Sequence, residues 1–190
     1  MKHLILSTAL LAAAAPAFAD PEPYTLDASH SQVLFSYNHL GFSTTYGLFS
    51  GFEGDIVFDD ASPENSSVTV SMPLMSMFTG WEAREAHLLS ADFFDAKEDD
   101  MITFTSTGIT VTGDTTANIT GDLSLNGITQ SVVLAATLNK ADTHPMAQTP
   151  WLGFDATTTL KRSDFGVGNF APFISDEVAV TISIEAQKTQ

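Results

Sequence analysis

Residues 119–138 read ITGDLSLNGITQSVVLAATL, and this stretch decides the fold class. Ile119, Leu123 and Leu125 share one parity up to Asn126-Gly127; Val132, Leu134, Ala136 and Leu138 share one parity beyond it. Apolar residues at every second position line one face of a β-strand. Asn-Gly set between two such runs is the strongest short-range signal for a hairpin.

Outward from this hairpin the alternation recurs. Upstream it runs through Val33, Phe35 and Tyr37, then through Leu48, Phe52, Ile56 and Phe58 in a segment carrying Gly47, Gly51 and Gly54. Val68, Val70 and Met72 follow, then Ile102 and Phe104, and the phase slips to Ile109 and Val111 across Thr107-Gly108, where a bulge is expected. Downstream come Phe154, Ala156, Thr158 and Leu160, and last Val178, Val180, Ile182 and Ile184. These make about eight strands joined mostly by turns and short loops. Sandwich and barrel both accommodate that count. The glycine bends and one interposed helix favour the barrel.

The helix is read in Thr79–Lys97, TGWEAREAHLLSADFFDAK. Thr79 stands as N-cap with Glu82 at the capping-box position, and Ser90 and Asp92 resemble a second cap before Phe93-Phe94. A short helix ending in two rings inside an all-β chain suits a plug. The expected fold is therefore all-β, an eight-stranded antiparallel barrel with one short helical plug segment.

Residues 1–19 carry Lys2 and His3, an apolar core from Leu4 to Ala15 and Ala17-Phe18-Ala19, the pattern of a cleaved export signal. Residues 20–190 then form one exported, soluble domain, long enough to bury a sizeable core. There is no cysteine, so neither a disulfide nor a lipoprotein anchor is available. The net charge of −16 disfavours nucleic acid and anionic membrane surfaces as partners.

Catalytic signatures are sparse. His30, His39, His87 and His144 show no H-x-H or H-E-x-x-H spacing, so structural histidines outweigh a metal site. No G-x-S-x-G elbow, phosphate loop or dinucleotide fingerprint occurs. A cluster of His30, His39 and His87 stands as the enzyme alternative. The two arginines, Arg84 and Arg162, are each expected to be held by a carboxylate such as Asp92, Asp164 or Asp176. Gly54, Gly121, Ala136, Ala156 and Thr158 among large inward residues would leave a lengthwise tunnel suited to an aliphatic chain, whereas rings packed solid would leave none. A filled barrel would point instead to a stress-related protein-interaction module.

The order of motifs resembles one known family. Tyr24-Thr-Leu-Asp27 with His30-Ser31, Phe35 and His39 opens it, followed by Gly47-Leu-Phe49 and by Arg84-Glu-Ala-His87-Leu88 with Ser90-Ala-Asp92-Phe93-Phe94-Asp95. Ile102-Thr-Phe104, Gly121-Asp-Leu123, Gly127-Ile-Thr129, Arg162-Ser-Asp164-Phe165-Gly166 and Asp176-Glu177-Val178 complete it. Over essentially the whole mature chain this is similar to the YceI-like family, departing mildly at Trp81-Glu82 and Val167–Phe170. The resemblance implies a lipocalin-like, extended antiparallel barrel with a long tunnel for polyisoprenoid lipids or related amphiphiles, a periplasmic location, no known enzymatic activity and no cofactor. By position it places Arg84, His87, Phe93 and Phe94 in the family's helical segment and Arg162, Asp164 and Phe165 in its late loop. The candidate tunnel and mouth residues are Phe35, Tyr37, Phe52, Arg84, His87, Phe93, Phe94, Phe104, Ala136, Phe154, Arg162 and Phe165, with no metal ligand among them. The expected ligand is a long isoprenoid or fatty chain with a quinone-like or amide head. A membrane cytochrome of the b561 type is a conceivable neighbour, and monomer and homodimer are both open.

Overall fold

A computed structural model describes residues 20–189; the export signal read at residues 1–19 lies outside them. Ten strands form one antiparallel sheet: β1 (Glu22–Leu26), β2 (Gln32–His39), β3 (Ser43–Phe49), β4 (Glu53–Phe58), β5 (Ser67–Pro73), β6 (Met101–Val111), β7 (Thr116–Leu125), β8 (Ile128–Thr143), β9 (Pro150–Lys161) and β10 (Glu177–Lys188). Eight of them close a ring in the order β1-β4-β5-β6-β7-β8-β9-β10, sealed by the pairing of β10 with β1 through Tyr24↔Lys188 and Leu26↔Ala186. Closure removes the unpaired edges that an open sheet would expose.

The expected eight-stranded barrel is therefore present, though its members differ from those read in the sequence. The run from Leu48 to Phe58 is two strands, broken at Ser50–Phe52, and β1 is a short strand that alternation did not reveal. The hairpin β2–β3 stays out of the ring. β2 lies along β10 through Phe35↔Val180 and Val33↔Ile182, on the stretch of β10 that β1 leaves free.

The central hairpin turns at Asn126 and Gly127, with φ of 54° and 71°. Both lie in the left-handed region, as a type I′ turn requires. The phase slip falls where expected, as a register shift between Ser106 and Gly108, and a second shift separates Leu138 from Lys140.

The single α-helix among the described residues, α1, spans Glu82–Leu89, shorter than the segment read as helical. Trp81, not Thr79, is its N-cap, and it makes no side-chain cap bond. Glu85, three residues beyond the expected Glu82, accepts the Thr79 N–H at 2.7 Å. That bond holds the Glu85 carboxyl below its ordinary range. Only the carboxylate half of a capping box survives, displaced by three residues: the Thr79 hydroxyl also donates to Glu85, whose own N–H bonds the Trp81 carbonyl. Ser90 ends the helix by donating to the His87 carbonyl, and Ala91–Phe94 is a turn, not a second helix.

The buried apolar residues fall into two clusters. Tyr24, Leu26, Phe58, Leu152 and Ala186 fill the β1–β10 corner, Leu152 being 1% exposed. Leu74, Met77 and Ile102 form the other, against Leu88, Leu89 and Phe94. Leu152→Ala should cost about 2–5 kcal/mol by urea titration, the usual range for a leucine removed from a closed core.

Candidate functional site: an apolar bore

Inside the ring lies a cavity of about 380 Å³, and members of both clusters line it. Its walls are the inward parity of every ring strand except β1, together with β2. Phe104, Val70 and Ile102 face it from β5 and β6; Ile119 and Leu123 from β7; Val132 and Leu134 from β8; Phe154 from β9; Val180 and Ile182 from β10. Many of these side chains remain only half-buried although they point inward, so the interior is not packed solid.

Small residues set its width. Ala117, Ala136 and Ala156 are register partners on three adjacent strands and form a row of methyl groups across one wall. The glycines read as contributors do not open the bore. The space beside Gly121 is taken by the Phe104 ring, and that beside Gly54 by the Thr69 carbonyl.

Ten of the twelve candidate residues line the cavity: Phe35, Tyr37 and Phe52 from β2 and the β3–β4 link, Phe93 and Phe94 after α1, Phe104, Ala136 and Phe154 from the ring, and Arg162 and Phe165 at the β9 end. Arg84 and His87 do not. Arg84 turns back to donate to the Thr79 carbonyl at 3.2 Å and lies over the Trp81 ring at 5.4 Å. His87 pairs with Asp92 at 3.0 Å and meets the Phe93 ring edge-on at 5.2 Å.

The arginines correct a second expectation, since neither makes an ion pair with a carboxylate among the described residues. Arg162 donates instead to four backbone carbonyls: Nε to Ser175, Nη1 to Val167 and Asn169, and Nη2 to Ile174. Burial pushes its guanidinium below the ordinary value. Asp176 is occupied elsewhere, by the Ser163 N–H and hydroxyl, and those bonds lower its carboxyl.

The ends of the bore differ. One is lined by Leu88 of α1 with Phe93, Phe165, Val167 and Ile174. The other lies between the loop at Asp60, Pro63 and Ser66 and the β6–β7 turn at Gly113–Thr116, where Asp60 and Asp114 stand among hydroxyls. Alternation could not find these loop residues. Ala117 was legible, continuing the parity of Ile119 by one step.

The histidines do not form one cluster. His30 precedes β2 and His39 ends it, so roughly 30 Å of extended chain separates them. Asp27, His30 and Glu185 have ligand atoms within 4.8 Å of one another outside the bore. Each already has a partner: Asp27 accepts from Ser29 N–H and Oγ and bonds His30 Nδ1 at 2.7 Å, while Glu185 accepts from Trp151 Nε1 at 2.7 Å. The Asp27 bond raises the His30 imidazole, and the Ser29 hydroxyl leads in lowering Asp27. A raised imidazole stabilises the fold below its unfolded value of about 6.5, an advantage lost as pH climbs through the folded value. Asp27 contributes above the ordinary carboxylate value and stops contributing below the folded one. His30→Ala should thus lower Tm slightly at pH 5.5 and less at pH 8.5; equal shifts at both would contradict the pairing.

Comparison with known proteins supports this geometry. The profile of the YceI-like domain matches residues 24–186. The chain belongs to the YceI-like family. A UPF0312 protein of Ectopseudomonas mendocina is 40% identical over 188 residues, covering 96% of this chain and 94% of that one. Among solved structures, Burkholderia cenocepacia BcnA superposes with a TM-score of 0.76 at 25% identity, covering 84% of this chain and 98% of BcnA. A domain from Saccharophagus degradans, described as polyisoprenoid-binding and implicated in plant cell wall breakdown, shares the fold with a TM-score of 0.68 at 17% identity, covering 87% and 98%. This YceI-like barrel has, among its described residues, no helix long and apolar enough to cross a membrane.

Proposed function

We propose that the protein is a periplasmic binding protein that holds a long isoprenoid or fatty chain inside the barrel, for transport, storage or sequestration, and catalyses no reaction. The open apolar bore carries this reading. Burying each methylene contributes about 0.8 kcal/mol, so about ten would supply about 8 kcal/mol, the micromolar range before ordering costs, with no charged contact. The polyisoprenoid-binding domain of S. degradans, with the same fold, supports the ligand class.

The head group is uncharged, quinone-like or an amide. Of the cations at the lining, Arg162 spends four N–H groups on backbone carbonyls, and Lys161 is exposed at the rim. The far mouth carries Asp60 and Asp114, which would repel a phosphate. A quinone head would fit a membrane cytochrome of the b561 type as electron-transfer neighbour. Native mass spectrometry of the exported protein tests the reading. The expected result is an adduct of an isoprenoid or fatty amphiphile with a neutral head on a chain beginning at Asp20. A retained polyprenyl pyrophosphate defeats the head-group assignment, and failure to take up any long-chain lipid defeats the carrier reading.

A further inference from the structure

Four large apolar side chains stand exposed together beside the α1 end of the bore: Leu40 and Phe42 in the β2–β3 turn, Phe170 and Phe173 in the loop before β10. Phe42 is 90% exposed and Phe173 73%. The two segments are tied by backbone bonds, Leu40 N–H to the Phe173 carbonyl at 3.1 Å and Ser175 N–H to the Asn38 carbonyl at 3.0 Å. They form one fixed crown. Exposed apolar groups clustered on a surface mark a contact site, whereas scattered ones do not.

Two observations identify what the crown meets. The first is continuity. The Phe170 ring lies 5.7 Å from the ring of Phe93, which lines the cavity, so an apolar track joins crown to bore. The second is charge. Residues 28–52 and 165–175, which build the crown, contain no Asp or Glu in a chain that carries 23 of them. An apolar rim whose two segments carry no carboxylate, with the neighbouring Asp92 paired to His87 at 3.0 Å, suits a surface that is itself anionic and oily, where unpaired acidic groups would be repelled. The composition as a whole disfavours such a surface, but the two crown segments contribute none of its carboxylates.

We infer that the crown of Leu40, Phe42, Phe170 and Phe173 docks the barrel on a lipid bilayer, so that an isoprenoid chain passes between membrane and bore along Phe170 and Phe93 without crossing water. This rests on the carrier reading. The exposed rings enter the interfacial layer, and the α1 end of the bore faces the membrane.

The test is flotation with vesicles of phosphatidylethanolamine and phosphatidylglycerol, alongside uptake of a fluorescent isoprenoid alcohol offered from dilute ethanol without vesicles. The wild-type chain should float, and the double variant Phe42→Ser/Phe173→Ser should lose about tenfold or more in partitioning, from the apolar area removed. Uptake from solution should stay unchanged, because neither residue lines the bore. No flotation of the wild type, or equal flotation of both proteins, overturns the docking assignment and leaves the carrier reading standing. Sedimentation velocity showing a dimer that the double variant dissolves would assign the crown to a second copy and overturn it too. Loss of uptake by the wild type itself would defeat the carrier reading and this inference together.

Discussion

Ala136→Phe will abolish uptake of a long-chain isoprenoid and leave the barrel folded. Ala136 sits in the row of methyl groups with Ala117 and Ala156, on the wall that faces the bore. An eight-stranded barrel is only just wide enough to be filled by side chains or to hold one small ligand. A phenyl ring entering at this level therefore replaces the ligand, since empty space receives it in place of packed neighbours. The usual overpacking cost of about 1–3 kcal/mol should be partly offset by the apolar contacts the ring gains. Uptake should fall at least about tenfold, the effect of removing roughly 1.4 kcal/mol or more of binding. Ala135→Phe is the control, because Ala135 is exposed on the outer face of the same strand. Titration with a fluorescent isoprenoid alcohol, with far-UV circular dichroism to establish folding, reads the result. Undiminished uptake by a folded Ala136→Phe would remove the bore from the mechanism.

The ring was legible because its walls obey one rule. From Val68 to Ile184 the inward positions are apolar at nearly every second residue, Ser106 and Thr158 excepted, and the Asn126-Gly127 turn fixes the register between two strands. β1 escaped because only Tyr24 and Leu26 alternate before the chain turns polar, too short a run to be told from a loop. The bore was half legible. Alanine at 136 and 156 reads as missing volume, and volume is missing there. Glycine at 121 reads the same way, yet Phe104 on the neighbouring strand lays its ring over it. Parity tells which face a residue takes, but not whether a ring on the next strand will lean into the gap.

The arginines show the same limit from the polar side. In a chain with 23 acidic residues a carboxylate partner was the natural expectation for each. Arg162 found carbonyls because the loop before β10 folds back over the end of β9 and leaves them without intrastrand donors, and no spacing in the sequence signals that.

Arg162→Ala should lower stability by about 2–4 kcal/mol, a Tm fall of roughly 5–15 °C for a chain of this size. One guanidinium satisfies the carbonyls of Val167, Asn169, Ile174 and Ser175, so its removal strands four acceptors from one segment at once. Arg162→Lys should recover only part of the loss, because a single ammonium cannot span acceptors that the planar fork reaches in several directions. The 3₁₀ turn Arg162–Phe165 should stay anchored from its other side, where Asn126 Nδ2 donates to the Phe165 carbonyl and Gln130 Nε2 to that of Asp164. Loosening is thus confined to Gly166–Ser175, the loop that carries Phe170 and Phe173. Hydrogen exchange should show protection lost at Val167, Ala171, Ile174 and Ser175, whose N–H groups are bonded in the intact loop, while β6 to β8 stay protected. Uniform loss across the barrel would mean that Arg162 supports the whole ring, and no loss would mean that the carbonyls find water as readily as they find the guanidinium.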